Sequence, residues 1–119
     1  MFYCPALVYH GDWTDWWANG VGSTPYAVKH YKDAVHRYRL ARRLDPQVAA
    51  HYPDLHGTAQ DNIMLYAEHT WGHFSTITNP YDTMVLNLDT RKNSYASKAH
   101  EAASLMLCSI AERKGDTLR

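Results

Sequence analysis

Apolar side chains at helical spacing cover most of the chain from Pro25 onward, and this periodicity constrains the fold more than any other feature. The first series keeps the three- and four-residue steps of one helical face: Ala27, Tyr31, Ala34, Val35, Tyr38 and Ala41. Thr24 is a capping residue, Pro25 suits the first helical position, and Asp45–Pro46 ends the pattern. We therefore predict a helix from Pro25 to just before Asp45.

A second helical region runs from about residue 46 to residue 68. Its apolar series follows the same helical steps: Leu55, Ala59, Ile63 and Tyr66. Pro53 lacks the backbone N–H that a helix interior needs, so we expect an interruption there. Gly72, in the sequence HTWGH, favours a helix stop or a sharp turn.

A third helix is predicted after residue 79, because Asn79 and Pro80 form a cap followed by a first-position proline. Its apolar series extends far along the chain: Met84, Leu88, Tyr95, Ala99, Ala102, Met106 and Ile110. The pattern persists to about Arg113, and Gly115 is the predicted terminator. Residues 87–93 are polar, so a break there is the alternative to one continuous helix.

The residues before the first helix have a different character. Residues 2–10 are mostly apolar and include two Tyr and one Val, which is typical of a buried strand or an extended segment. The loop GDWTDWWANGVGST follows, with glycines at positions 11, 20 and 22. The predicted fold is mainly α: a three-helix bundle preceded by a short strand and an aromatic-rich loop. Residues 1–23 and 24–119 form its two parts.

Length and charge exclude several classes of protein. The 119 residues are too few for a complete (β/α)₈ barrel, which needs roughly 200 or more. A net charge of zero argues against general binding of nucleic acid. No run approaches the roughly 18 apolar residues of a membrane span, and no signal peptide is evident, so we expect no membrane partner and favour the cytoplasm. Cys4 and Cys108 have no metal-site spacing, and we expect two buried, reduced thiols.

The first helix also carries many positive charges on the surface away from its apolar stripe. These are Lys29, Lys32, Arg37, Arg39, Arg42 and Arg43. We interpret them as a solvated helix face, with a basic groove as the alternative.

Two groups of residues are candidates for chemistry. Asp12 and Asp15 stand beside Trp16 and Trp17, and carboxylates next to indole rings are typical of carbohydrate sites. The simpler alternative is that the Asp residues cap turns and the Trp rings cover the helices. Composition alone favours the simpler alternative.

His69 and His73 form the second group, because histidines four residues apart on a helix can chelate a metal. The pair lacks the glutamate of an HExxH motif, and Gly72 between them ends the helical pattern. Glu68 is a further ligand or a partner of His69. On spacing alone, a structural role for these histidines is favoured.

Two segments together resemble a known family. GDWTDWWANGVGSTP leading into a basic amphipathic helix, followed by NIMLYAEHTWG and a proline-led long helix, is similar to bacterial proteins related to glycoside hydrolase family 38. These are α-mannosidase-like enzymes, and the similarity covers nearly the whole chain. It implies the end of a catalytic barrel followed by a helical middle domain.

The resemblance implies roles for particular residues. Trp17 precedes Pro25 by eight positions, as in the family, and would pack on the sugar near the metal. His69 matches the histidine that completes the family's zinc site. Thr70 replaces the aspartate that follows that histidine in the family, so the contacts of that aspartate to substrate are not carried over. The other zinc ligands, the nucleophile and the general acid would lie in an upstream barrel that this chain does not contain.

These observations lead to one main hypothesis and two alternatives. The chain is predicted to be a fragment of a zinc-dependent retaining glycoside hydrolase acting on α-mannoside-like sugars. It would supply the zinc ligand His69 and part of the sugar-binding wall, with Trp16, Trp17, Asp12 and Asp15, and would be inactive alone. The first alternative is a stand-alone helical module that binds carbohydrate or protein without catalysis. The second is a small metal-binding regulator that uses His69 and His73.

Overall fold

The computed structural model describes residues 24–68 and 78–117, which form four helices. They are α1 (Pro25–Leu44), α2 (Val48–His51), α3 (Pro53–Ala67) and α4 (Thr83–Thr117). The prediction of a mainly α chain is therefore confirmed for these ranges, which contain no strand. The three-helix bundle and the preceding strand are not confirmed. The predicted strand and tryptophan loop, in residues 1–23, lie outside the described residues.

α1 has the bounds that its sequence predicts. Pro25 is its first residue, and the backbone N–H of Asp45 donates to the carbonyl of Ala41 at 2.8 Å to close the last turn. Thr24 occupies the cap position, but its side chain makes no capping hydrogen bond. The helix nevertheless begins at Pro25, because a proline in the first helical position has no backbone N–H that would need an acceptor.

The predicted interruption at Pro53 is confirmed. α2 ends at His51, Tyr52 separates the two helices, and Pro53 is the first residue of α3. The Tyr52 hydroxyl donates to the carbonyl of Ser109 at 3.2 Å, which attaches this joint to α4. The short connection reverses the chain, so α3 can return along α4.

The predicted start and end of the third helix are wrong by a few residues. Asn79 and Pro80 belong to a turn that precedes α4, in which the N–H of Asp82 donates to the carbonyl of Asn79 at 3.1 Å. Asp82 acts as the cap instead, because its Oδ1 accepts from the N–H of Met84 at 2.8 Å. At the other end, the helix passes through Gly115 and continues to Thr117.

The alternative of a break at residues 87–93 is also wrong, because α4 is helical throughout this polar stretch. Lys92 lies on the side of α4 that faces α3, and its Nζ donates to the carbonyls of Leu65, at 3.2 Å, and Glu68, at 2.9 Å. The Leu65 carbonyl lies in the last turn of α3 and the Glu68 carbonyl at its C-terminal cap, where the helix has no following turn to donate N–H groups. The polar stretch therefore caps a neighbouring helix while it continues its own.

Small side chains form most of the contact between the helices. α1 contributes alanines spaced by seven, and α4 contributes a series with alternating steps of three and four: Ala27, Ala34 and Ala41; then Ala96, Ala99, Ala103, Met106 and Ile110. All of them are buried. Because helix axes come closer where the contacting side chains are small, α1 and α4 pack tightly along this seam.

The larger buried residues gather into two clusters. One contains Val48, Met106 and Ile110, and it joins α1, α2, α3 and α4 near the C-terminal end of α4. The other centres on Tyr66, whose ring centroid is 5.0 Å from that of Tyr31 on α1. Burial raises the pKa of the Tyr66 phenol. α4 is thus the element on which both clusters are assembled.

The single described cysteine does not match its prediction. Cys108 is a free thiol, but it is exposed rather than buried. It lies between Met106 and Ile110, which place their side chains in the core, and so it falls on the opposite side of α4. Among the described helices, none contains a stretch long and apolar enough to cross a bilayer.

Candidate binding surfaces

The predicted site residues Asp12, Asp15, Trp16, Trp17 and His69 all lie outside the described residues. The structure does describe the helix that leads to His69. α3 ends at Ala67, and Glu68 is its C-terminal cap, held by an N–H bond of 2.8 Å to the carbonyl of Met64. In the sequence, the predicted zinc ligand His69 directly follows Glu68, the C-terminal cap of α3.

A basic groove lies along α1 where it meets α4. It has a volume of about 680 Å³ and is lined by Lys32, Asp33, His36, Arg37, Arg39, Leu40, Arg43 and Leu107. The sequence alternative of a basic groove on the first helix therefore has a structural counterpart. Leu107 comes from α4, so the groove exists only because the two helices pack together.

The groove residues of α1 fall into two parallel rows. Lys32, His36, Arg39 and Arg43 follow steps of four, three and four and form a basic row on one helical face. Asp33, Arg37 and Leu40 form the second row, nearer to Leu107. The basic row is about 16 Å long at 1.5 Å per residue. Leu40 is 46% exposed, which places a half-exposed apolar strip beside the basic row.

Two histidines that are far apart in the sequence come together on the α1–α4 seam. The ring centroids of His30 and His100 are 5.0 Å apart in an edge-to-face arrangement. The ring centroid of Tyr26 lies 4.4 Å from that of His30. Desolvation lowers the pKa of His100, and the positive charge of Arg37 lowers it further. Nothing in the sequence spacing indicates this pair, because its members are on different helices.

An ionic cluster joins the end of α1 to the end of α4. Asp45 is 4% exposed, and its Oδ2 lies 2.7 Å from both Nη2 of Arg113 and Nδ1 of His51. The bond from His51, together with the N–H of Gln47 and the charge of Arg113, holds the pKa of Asp45 below its usual value although burial opposes this. The Arg113 guanidinium also lies over the Tyr52 ring, 5.7 Å from its centroid.

The geometry of this cluster gives His51 two partners for one nitrogen. Nδ1 of His51 is 2.7 Å from Asp45 and also 2.7 Å from Nη1 of Arg113. A ring nitrogen either donates to the carboxylate or accepts from the guanidinium, so only one bond exists at a time. Asp45 and Arg113 remain paired in both cases, and the cluster is a structural link between helices.

α4 extends beyond the helices that pack against it. α3 ends beside Lys92, as the bonds from that lysine show, and the first residues of α1 lie beside Asp89 and Asn93 of α4. The first two turns of α4 thus precede both helix ends. In these turns Met84 and Leu88 continue the apolar stripe, but they are 58% and 37% exposed, whereas Val85 is buried. We call Met84 and Leu88 the overhang surface.

Comparisons with known proteins add no family to these observations. No protein-family model, no curated protein and no solved structure matches the chain. Within residues 24–68 and 78–117, no group of three or more His, Cys, Asp or Glu side chains is arranged to hold a metal ion. Among the described residues, the groove presents positive charge and the overhang surface presents exposed apolar side chains.

Proposed function

We propose that this chain is a helical protein-binding module with no catalysis of its own. The observation that carries the proposal is the overhang surface, where Met84 and Leu88 continue the buried stripe of α4 past the ends of α1 and α3. Inside the core the same stripe is closed by neighbouring helices. We infer that a partner covers the exposed parts of these two side chains, which the described helices leave open.

The energy available to a partner is modest but useful. Full burial of a Met or Leu side chain stabilises by about 1.5–3 kcal/mol, and part of each side chain is already covered. A partner therefore gains roughly half of that figure from each residue. The two side chains act as an anchor within a larger interface rather than as the whole interface.

A second candidate function is the one that the family resemblance implies. The chain would be the helical part of a glycoside hydrolase related to family 38, and the partner would be the catalytic barrel. One observation favours it: Lys92 fixes the end of α3, and hence the entry to His69, one helical turn from Leu88. A barrel seated on the overhang surface would then meet the chain where the proposed zinc ligand begins. The nucleophile and the general acid of this hypothesis would belong to the catalytic barrel, so we derive no catalytic step for this chain.

The partner at the overhang surface is tested by photo-crosslinking in cells. Benzoylphenylalanine is placed at position 84, and at position 105 as a control, because Leu105 is 49% exposed on the same helix. We expect a discrete covalent product from position 84 only, and its loss when Leu88→Asp is added. Equal products from both positions, or none from position 84, would refute a docking role.

Mass spectrometry of the product separates the two candidates. A glycoside hydrolase barrel favours the second candidate, and any other folded protein favours the stand-alone module. A second copy of this chain as the sole product would contradict both candidates.

Zinc titration provides an independent comparison of the hypotheses. One imidazole does not hold zinc tightly, because catalytic sites use about three protein ligands. The isolated chain should therefore bind zinc weakly under both candidates. Tight stoichiometric binding that is lost on His73→Ala would instead support the metal-binding regulator.

A further inference from the structure

The basic groove differs from the overhang surface in chemistry and in position. It is lined by residues of the middle and end of α1 together with Leu107 of α4. The overhang surface, by contrast, is at the start of α4. The groove is independent of the proposed function, and a partner could occupy either surface without the other.

The cations of the groove are not used by the described part of the chain. Lys32, Arg39 and Arg43 are exposed, and none of them makes a hydrogen bond or ion pair with a described residue. By contrast, Arg42, on the same helix, lies over the Tyr38 ring at 5.9 Å. Arginine presents a planar fork of donors that pairs with carboxylates in two parallel bonds. The unpaired row is thus complementary to a row of carboxylates.

The apolar strip formed by Leu40 and Leu107 favours a partner that has apolar side chains beside its carboxylates. Leu40 is 46% exposed beside the basic row, and Leu107 forms the opposite wall. A strip of leucine next to a line of cations fits an amphipathic helix that has an apolar face edged with carboxylates. Nucleic acid fits less well, since no Phe, Tyr or Trp among the described residues lines the groove to stack a base and the net charge of the chain is zero.

We propose that this groove binds an acidic amphipathic helix of a partner protein, with carboxylates along the basic row and a leucine against Leu40 and Leu107. The steps of four, three and four in the basic row match the steps of carboxylates on one face of a helix. About three turns of such a helix cover the row. The ion pairs align the partner helix along the groove, and the leucine contact adds a small apolar interface.

The test measures fluorescence anisotropy with the whole chain and three labelled probes. The first is an 18-residue helical peptide with glutamates at the spacing of the basic row and leucines beside them. The second is an oligoglutamate of equal charge, and the third is a single-stranded DNA of 20 nucleotides. We expect the amphipathic peptide to bind most tightly, and to bind less tightly as salt is raised.

Two matched charge reversals locate the site. Arg39→Glu with Arg43→Glu should weaken binding of the amphipathic peptide by at least about tenfold. The control, Arg91→Glu with Lys98→Glu, changes the net charge equally at exposed positions of α4 outside the groove and should have less than about a twofold effect. Circular dichroism checks that both variants keep the helical content of the native chain.

A third variant tests the apolar strip. Leu40→Asn should weaken the amphipathic peptide and leave oligoglutamate unchanged. The proposal is overturned if the peptide does not bind, if both charge reversals act equally, if DNA binds more tightly than the peptide, or if oligoglutamate matches the peptide. The outcome at the overhang surface has no influence on these readouts, so the two proposals fail separately.

Discussion

Replacement of Met106 by alanine should destabilise the protein far more than truncation of its exposed neighbour Leu105. Met106 is 0% exposed and, with Ile110 and Val48, is one of the three largest fully buried side chains in residues 24–68 and 78–117. Most of the other buried residues in these ranges are alanines. The described helices therefore have few large side chains with which to bury apolar surface, and Met106 carries a large share.

The expected magnitude follows from what surrounds the residue. Truncation of a core Met to Ala typically costs about 2–5 kcal/mol, and the upper part applies where neighbours cannot fill the space. Ala41, Ala59 and Ala102 belong to the same cluster, and a methyl group cannot reach into a cavity. We expect a loss of about 3–5 kcal/mol, a large fraction of the about 5–15 kcal/mol that stabilises a typical domain.

The assay is urea unfolding followed by far-ultraviolet circular dichroism, with Leu105→Ala as the matched control. Leu105 adjoins Met106 on the same helix but is 49% exposed, so its truncation should cost less than about 1 kcal/mol. Met106→Leu keeps the volume and should cost less than about 1.5 kcal/mol. Equal losses for the two alanine variants would refute the inference that Met106 is a principal core residue.

Four further predictions concern the polar contacts. Because the pKa of Asp45 is lowered in the folded state, the unfolded state takes up a proton at higher pH than the folded state does, and stability should fall as pH drops below about 4. Asp45→Asn should flatten this dependence, which urea titrations at several pH values measure. The lowered pKa of His100 predicts a loss of stability as pH falls below about 6.5, which His100→Gln should remove if the histidine is its source. Lys92→Met should lower the free energy of unfolding by about 0.5–1.5 kcal/mol, because water replaces the donor that these exposed carbonyls at the end of α3 lose, and a neutral result would contradict the capping role. Arg113→Lys should lower the melting temperature of the protein, since lysine keeps the charge but lacks the guanidinium nitrogen Nη2 that donates to Asp45. An unchanged melting temperature would argue against this link between the helices.

The sequence predicts the helices best where proline and periodicity agree. Pro25 and Pro53 start α1 and α3, because proline at the first position has no hydrogen bond to lose. Asn79–Pro80 carries the same signal but precedes the helix, since Asp82 offers a cap nearer to the apolar stripe. Local signals compete, and only the folded chain selects among neighbouring caps.

The candidate sites were predictable only in part. The positive charges of α1 are visible in the sequence, but Leu107, which closes the groove, comes from α4 and is far away along the chain. His30 and His100 meet for the same reason. The residues proposed from the tryptophan loop and His69 lie outside the described residues, so their roles stay predictions.

The sequence by itself determined which faces of the helices are apolar, because that pattern depends only on the repeat of 3.6 residues per turn. It also determined where prolines begin helices. Tertiary structure alone decided what each face meets. Lys92 belongs to the polar stretch 87–93, which suggests a break when only the sequence is considered. In the folded chain its ammonium group donates to carbonyls at the end of α3. Met84 and Met106 belong to one stripe, yet Met84 is 58% exposed and Met106 is buried, because Met106 packs in one cluster with Ala41 of α1 and Ala59 of α3.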